Sequence, residues 1–239
     1  MKIIDFFDRV YVLNLAYRKD RLKSITRELK QLDMILGTDK VRLFSAIRPA
    51  DPRGFPEVGW RGCFLSHLEA LKLARRDNLN NVLIIEDDSL ILPKLRATQG
   101  FYLDQLAGKD WGFVYFCCKP EELSSAGKGL HRFNGDLISA CFYGVNSKIL
   151  NNLIGFLEKI EESKPVEGMH KPGLDHAYNI FRTQNPDVTY IAVPHQVTQE
   201  AFCSDVWHSN ESSWITKVPL IFCLASWLRR WKRYFFDIN

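Results

Sequence analysis

Apolar runs of strand length alternate along this chain with segments whose apolar residues recur every three or four positions. The first run, Val10 to Leu15, is continuous, and the polar turn after it leads into a segment with Leu22, Ile25, Leu29 and Leu32 on one helical face. A second helix is predicted over Arg61 to Asn78, with Phe64, Leu68 and Leu71 inward. Strands are predicted at Asn81 to Asp88, Trp111 to Cys118, Leu137 to Val145 and Val188 to Pro194, with a helix through Ile149, Leu153, Leu157 and Ile160 after the fourth strand. Strands alternating with helices predict an α/β domain around a mostly parallel sheet. Two segments break the pattern, a Pro/Gly-rich loop from Pro49 to Gly59 and another from Lys164 to Gly173. Long irregular loops in such domains often carry function.

The second predicted strand, Asn81 to Asp88, ends on three acids, Glu86, Asp87 and Asp88, between apolar runs. Ligands of parallel sheets bind beyond the carboxyl ends of the strands, where these acids fall. Alternation along an extended chain sets Glu86 and Asp88 on one side and Asp87 on the other. Carboxylates converging on one point repel unless they share a proton or a cation. A hard divalent ion, Mn2+ or Mg2+, held partly by substrate phosphates, answers this requirement. A solvated strand end, a cap for the next turn, or the acidic site of a haloacid-type phosphatase or response regulator would also use such acids.

Composition narrows the class. The 239 residues suffice for one full core, and 46% hydrophobic with 25% charged residues is a globular balance. The net charge of +4 is modest and much of the excess lies at Arg229, Arg230, Lys232 and Arg233, so no nucleic-acid partner is expected. Six cysteines without a C-x-x-C pair read as buried thiols in a reducing compartment. Asp5 and Asp8 interrupt the apolar start, which does not read as a secretion signal, and no run is long enough to span a bilayer. A cytoplasmic protein is expected.

Three segments together resemble glycosyltransferase family 25, the lipooligosaccharide galactosyltransferase-like family. They are "VYVLNLAYRKDRL" (Val10 to Leu22), "GWRGCFLSHLEAL" (Gly59 to Leu71), similar to the family's G-x-x-G-C-x-x-S-H helix, and "VLIIEDDSLI" (Val82 to Ile91), similar to its E-D-D motif. The likeness continues more faintly through "LISACFYGVNSKIL", "GLDHAYNIF", "YIAVPHQVTQ" and "SDV", ending at Val206. It implies a GT-A-like nucleotide-sugar-binding fold, a UDP-sugar donor (UDP-galactose foremost), Mn2+ or Mg2+, and inverting hexose transfer to a glycan or lipid-linked glycan such as lipooligosaccharide. A protein acceptor is the other option.

The resemblance assigns roles. Asp88 and Asp87 would ligate the cation directly, with Glu86 reaching it through water or binding the donor's ribose. Asn14, Arg18 and Arg21 would meet the uridine and diphosphate, although helix-start chemistry also explains these arginines. Ser66 and His67 would line the donor pocket or simply pack. Cys63 reads as structural. Asp175 is the candidate general base, His176 the runner-up, and capping of the following helix is the plainer use of Asp175. Gly173-Leu174-Asp175 departs from the family's commoner P-V-D wording. Gln199, Ser204 and Asp205 are further donor or acceptor contacts, and His195 and His208 weaker metal candidates.

The domain is expected over residues 1–215, with residues 216–239 as a tail. Val218 to Leu228 is uncharged, and a helix there would oppose Leu224, Trp227, Leu228, Trp231 and Phe235 to Arg229, Arg230 and Arg233. Such a helix suits peripheral association with the cytoplasmic face of a membrane, or packing on its own domain. Two rivals to the transferase stand: a metal-dependent phosphohydrolase using the same acids, and a catalytically silent homologue that binds the nucleotide sugar.

Overall fold

The continuous apolar runs become the buried middle of one sheet. In the computed structural model, which describes residues 1–186 and 188–200, the chain runs α1 (Ile3–Phe6), β1 (Arg9–Asn14), α2 (Lys19–Lys30), β2 (Val41–Ser45), α3 (Val58–Arg76), β3 (Asn81–Glu86) and β4 (Ser89–Ile91). It continues through α4 (Pro93–Ala107), β5 (Phe113–Tyr115), β6 (Gly129–Arg132), β7 (Phe142–Asn146), α5 (Ser147–Glu162), α6 (Leu174–Gln184), β8 (Thr189–Val193) and β9 (Val197–Gln199). Ser204, Asp205, His208, the tail and the boundary at residue 215 lie outside the described residues.

The strand order is β2-β1-β3-β7-β5-β8-β6. β2, β1, β3, β5 and β8 share one direction, while β7 and β6 run against it. The fold is therefore α/β with a mostly parallel sheet, as predicted, and it holds two reversed strands that hydrophobic pattern does not reveal. Side-chain alternation divides the core. Tyr11, Leu13, Val82 and Ile84 pack under α3, α5 and α6, against Phe64, Leu68, Leu153, Leu157 and Phe181. Val10, Val12, Leu83 and Ile85 pack on the opposite side against Ile3, Ile25, Leu29 and Leu103 from α1, α2 and α4, and against Phe7 just after α1.

The reversal of β7 brings a loop to the end of the central strand. Because β7 is antiparallel to β3, with Ile85 opposite Phe142, the segment leading into β7 arrives where β3 ends. Glu86 N–H donates to the Cys141 carbonyl at 2.8 Å there. Residues 137–141 are thus not strand, correcting the predicted run from Leu137; likewise only residues 113–115 of the Trp111–Cys118 run pair as strand. A short separate ribbon pairs β4 with β9, Ser89 opposite Gln199. Among the described residues no helix is long and apolar enough to cross a membrane.

At the middle of the sheet, Gly144 admits the Phe7 ring. A Cβ there would stand 2.5 Å from one Phe7 ring carbon and 2.9 Å from Val114 Cγ1. Gly144→Ala is expected to destabilise the protein by about 1–3 kcal/mol through overpacking, read as a lower denaturant midpoint at unchanged m-value.

Candidate active site

At the carboxyl ends of β1 and β3 lies a cleft of about 1200 Å³, walled by the β1–α2 turn, residues 46–48, the start of α3, the acids after β3, residues 136–140 and the start of α6. It brings together Asn14, Arg21, Ser66, His67, Glu86, Asp87, Asp88, Asp175, His176 and Gln199. Arg18 and His195 are not among its lining residues. Arg18 instead grips Asp20 at 2.8 and 3.0 Å.

The three acids are compensated in three ways. Asp87 lies in the turn after β3, where strand alternation no longer applies, and is held by two donors: Asn14 Nδ2 donates to Oδ2 at 2.7 Å and Arg21 donates to Oδ1 at 3.0 Å. Asn14 also donates to the Arg18 carbonyl, so its amide nitrogen fixes the turn and Asp87 together. Glu86 Oε1 lies 3.1 Å from His67 Nε2 and 3.9 Å from Cys63 Sγ, and Gln199 donates to Oε2 at 3.4 Å. Asp88 has an Arg21 contact of 3.5 Å and a lesser stabilising hydrogen bond from Gln199, and its buried Oδ1 has no hydrogen-bond partner among the described residues. Burial first, then the neighbouring Glu86 charge, pushes the Asp88 carboxyl up to about 7.

Helix α3 explains the spacing of its motif. Gly62 and Ser66, one turn apart, face residues 46–47: a Cβ at Gly62 would stand 2.7 Å from the Ile47 carbonyl, and the Ser66 hydroxyl accepts the Ile47 N–H at 2.8 Å while donating to Gly62 at 2.6 Å. Cys63 and His67, one residue further round, aim at Glu86. The His67 ring is fully buried and its Nδ1 meets the Tyr143 hydroxyl at 2.8 Å, itself 2.8 Å from the Tyr178 hydroxyl. Burial pushes the Cys63 thiol well up, with Glu86 adding to it, so no thiolate nucleophile stands here.

Asp175 occupies the first turn of α6 but does not cap it. Its Oδ2 accepts the N–H of Ser139, from the lead-in to β7, at 2.8 Å. Burial raises its carboxyl to about 6, against the lowering effect of that hydrogen bond. The turn sits close to the cleft because Gly173 lies on the Trp60 ring, where a Cβ would come within 2.4 Å. His176 is exposed at the rim.

Several lining residues escape sequence reasoning. Tyr17 is half-exposed in the cleft and Arg48 places its guanidinium 5.4 Å from the Tyr17 ring centre. Trp60, Ser139 and Lys171 line the wall as well. All but Trp60, in the first turn of α3, come from irregular segments, where periodicity carries no signal. Tyr17 and Trp60 do lie within "VYVLNLAYRKDRL" and "GWRGCFLSHLEAL", and that placement is the one signal that points to them.

A hard cation fits this donor set. The partnerless Asp88 oxygen and Glu86 Oε2 offer oxygen ligands, whereas both Asp87 oxygens are already engaged by protein donors.

No protein-family model matches the chain, and no curated protein matches it. Among solved structures, it is similar to a glycosyltransferase involved in the glycosylation of the major capsid of PBCV-1, at 11% identity over 82% of this chain and 94% of that one, with a TM-score of 0.47. It is also similar to the galactosyltransferase LgtC, solved with donor and acceptor sugar analogs, at 12% identity over 92% and 95% of the two chains and a TM-score of 0.46. A third, CTP:phosphocholine cytidylyltransferase (LicC) from Streptococcus pneumoniae, shares 12% identity over 80% and 92%, with a TM-score of 0.41. Likenesses this distant assign no activity, and none shows membership of glycosyltransferase family 25.

The acids make opposite predictions for stability. Asp88 titrates near 7 in the folded protein and near its ordinary 3.8 when unfolded, so between these values the native state holds a proton that the unfolded state releases. Its contribution to stability therefore falls as pH rises from about 4 to 7. Without divalent cation, Asp88→Asn should raise stability at pH 8 by on the order of 1 kcal/mol or more, a few degrees in Tm, with little effect at pH 4. Arg21→Gln should lower it at pH 8 by about 3 kcal/mol, since Asp87 is left buried without its counter-charge. Thermal melts across this pH range test both.

Proposed function

We propose that the protein is a metal-dependent inverting glycosyltransferase that moves a hexose, galactose foremost, from a UDP-sugar to a glycan or lipid-linked glycan such as lipooligosaccharide. The observation that carries this reading is that one cleft holds both an under-compensated carboxylate, Asp88, beside Glu86, and a separate carboxyl, Asp175, raised to about 6, which suits a base near neutral pH.

Asp88 and Glu86 would hold Mn2+ or Mg2+, which when bound stabilises the negative charge of the departing diphosphate. The exposed Tyr17 face offers the uracil a stacking surface, and the Arg48 guanidinium beside it suits the diphosphate. Arg21 and Asn14 act at one remove: by engaging Asp87 they fix the turn from which Asp88 projects. The Ser139 N–H holds one Asp175 oxygen and leaves the other for an acceptor hydroxyl. Asp175 takes the hydroxyl proton as the acceptor oxygen bonds to the anomeric carbon and the bond from that carbon to UDP breaks on the opposite face. His176, exposed at the rim, would contact the acceptor in this reading.

UDP release from a panel of UDP-sugars, with water as acceptor, tests this reading without a known glycan. Release from one sugar should require Mn2+ or Mg2+, stop with chelator and fall by about 100-fold or more in Asp88→Ala. UDP and Mn2+ binding without release from any sugar would point to the silent homologue, and absence of both binding events would overturn the transferase reading.

At saturating Mn2+, which keeps the Asp88 carboxylate ionised, the pH profile isolates the base. Asp175 must be deprotonated to accept a proton, so release should climb as pH rises through about 6 and then level off. Asp175→Asn should lower the plateau by about 100-fold while leaving UDP binding intact by calorimetry.

A further inference from the structure

The compensation of Glu86 uses residue types that a hard-cation site does not need. Cys63 Sγ, His67 Nε2 and a Glu86 carboxylate oxygen lie within 4.8 Å of one another, with His67 Nε2 and Glu86 Oε1 separated by 3.1 Å. A tetrahedral zinc ion, with bonds of about 2.3 Å to sulfur and 2.0 Å to nitrogen, keeps its ligand atoms roughly 3–4 Å apart. The cluster is near that spacing already. Its backbone is well fixed: two ligands sit one turn apart on the long helix α3, and the third ends the central strand β3.

The surroundings of His67 supply a second, independent sign. A metal-binding imidazole usually has its other nitrogen held by a hydrogen-bonding partner that sets the ring's orientation. Here the Tyr143 hydroxyl holds Nδ1 at 2.8 Å and is backed in turn by Tyr178, leaving Nε2 aimed at Glu86. All three ligand residues line the cleft, so a fourth position would open toward it.

We propose that Cys63, His67 and Glu86 form a binding site for a thiophilic divalent ion, Zn2+, separate from the hard-cation position at Asp88. On binding, zinc takes the Cys63 sulfur as thiolate, the thiol proton leaves to solvent, and the fourth position is filled by water. Thiolate and imidazole select Zn2+ over Mn2+ and Mg2+. The two positions share the Glu86 carboxylate, the zinc site drawing on Oε1 and the hard-cation position on Oε2. The zinc site stands on the cluster's geometry and does not depend on glycosyl transfer.

Cobalt(II) reports the site directly, because thiolate ligation gives an intense sulfur-to-cobalt absorption that oxygen ligands lack. The full chain, reduced and stripped of metal, is titrated with Co2+ and then Zn2+. The charge-transfer band should appear, be displaced by Zn2+ but not by excess Mg2+, disappear in Cys63→Ser and persist in Asp88→Asn. Tyr143→Phe, which keeps the buried ring and removes only the hydroxyl behind His67, should weaken Zn2+ affinity by about 10-fold. Absence of the band, its persistence in Cys63→Ser, its loss in Asp88→Asn, or unchanged affinity in Tyr143→Phe would each overturn the proposal. Loss of UDP release with the band intact would leave this site standing and count against the transferase alone.

Discussion

Three consecutive carboxylates at the end of a buried central strand need a counter-charge, and Arg21 supplies it. Its guanidinium lies 3.0 Å from Asp87 and 3.5 Å from Asp88 and is largely buried with them. Burying an unpaired charge costs several kcal/mol, so this pair constrains the neighbouring elements. Helix α2 must start near the end of β1 to deliver Arg21, and Asn14 must close the turn between them. The compensation remains incomplete, and the remainder falls on Asp88, at the cleft.

The same cleft draws on strain. Ser139 adopts φ +86, a left-handed conformation that costs a non-glycine residue of order 1–3 kcal/mol and persists only when its surroundings hold it. Here Asp175 accepts from its N–H, and the thiols of Cys117 and Cys118 lie 3.4 and 3.3 Å from its carbonyl oxygen. A peptide fixed at both ends is a firm mount for a carboxylate. The cysteines that composition marks as buried thiols thus include two that brace the candidate base at one remove.

Much of the scaffold was legible because burial on both faces leaves an uninterrupted apolar run, as in β1, β3 and β8, and one-sided burial leaves a helical stripe, as in α2, α3 and α5. Helix α4 left little trace: Leu95, Tyr102, Leu103 and Leu106 are its buried apolar residues, but Gly100 and polar Gln99 interrupt the stripe. β4 and β9 are too short to show a period. The reversed direction of β7 is a property of chain path, not of side-chain pattern. In the site, the acids and the α3 motif were conspicuous in sequence, while Tyr17, Arg48 and Ser139 were not, since their positions depend on loops folding back from elsewhere. The alternation expected to set Asp87 apart from Glu86 and Asp88 stops at Glu86, where β3 ends; Asp87 and Asp88 lie in the turn beyond it, and one Arg21 nitrogen meets both.

The β4–β9 ribbon also has a temporal side. Gln199 reaches Glu86 across 113 residues of chain, and Glu200 N–H closes on the Asp88 carbonyl at 2.6 Å beside it. Chains leave the ribosome from their N-terminus, and at about 5–20 residues per second that separation is a wait of several seconds or more. Over that interval the acids, Arg21 and His67 have all been made, but the strand that borders the cleft beside them has not. The cleft is therefore among the last parts of the described fold to be completed, and a nascent chain carries the charged cluster before it has the wall that encloses it.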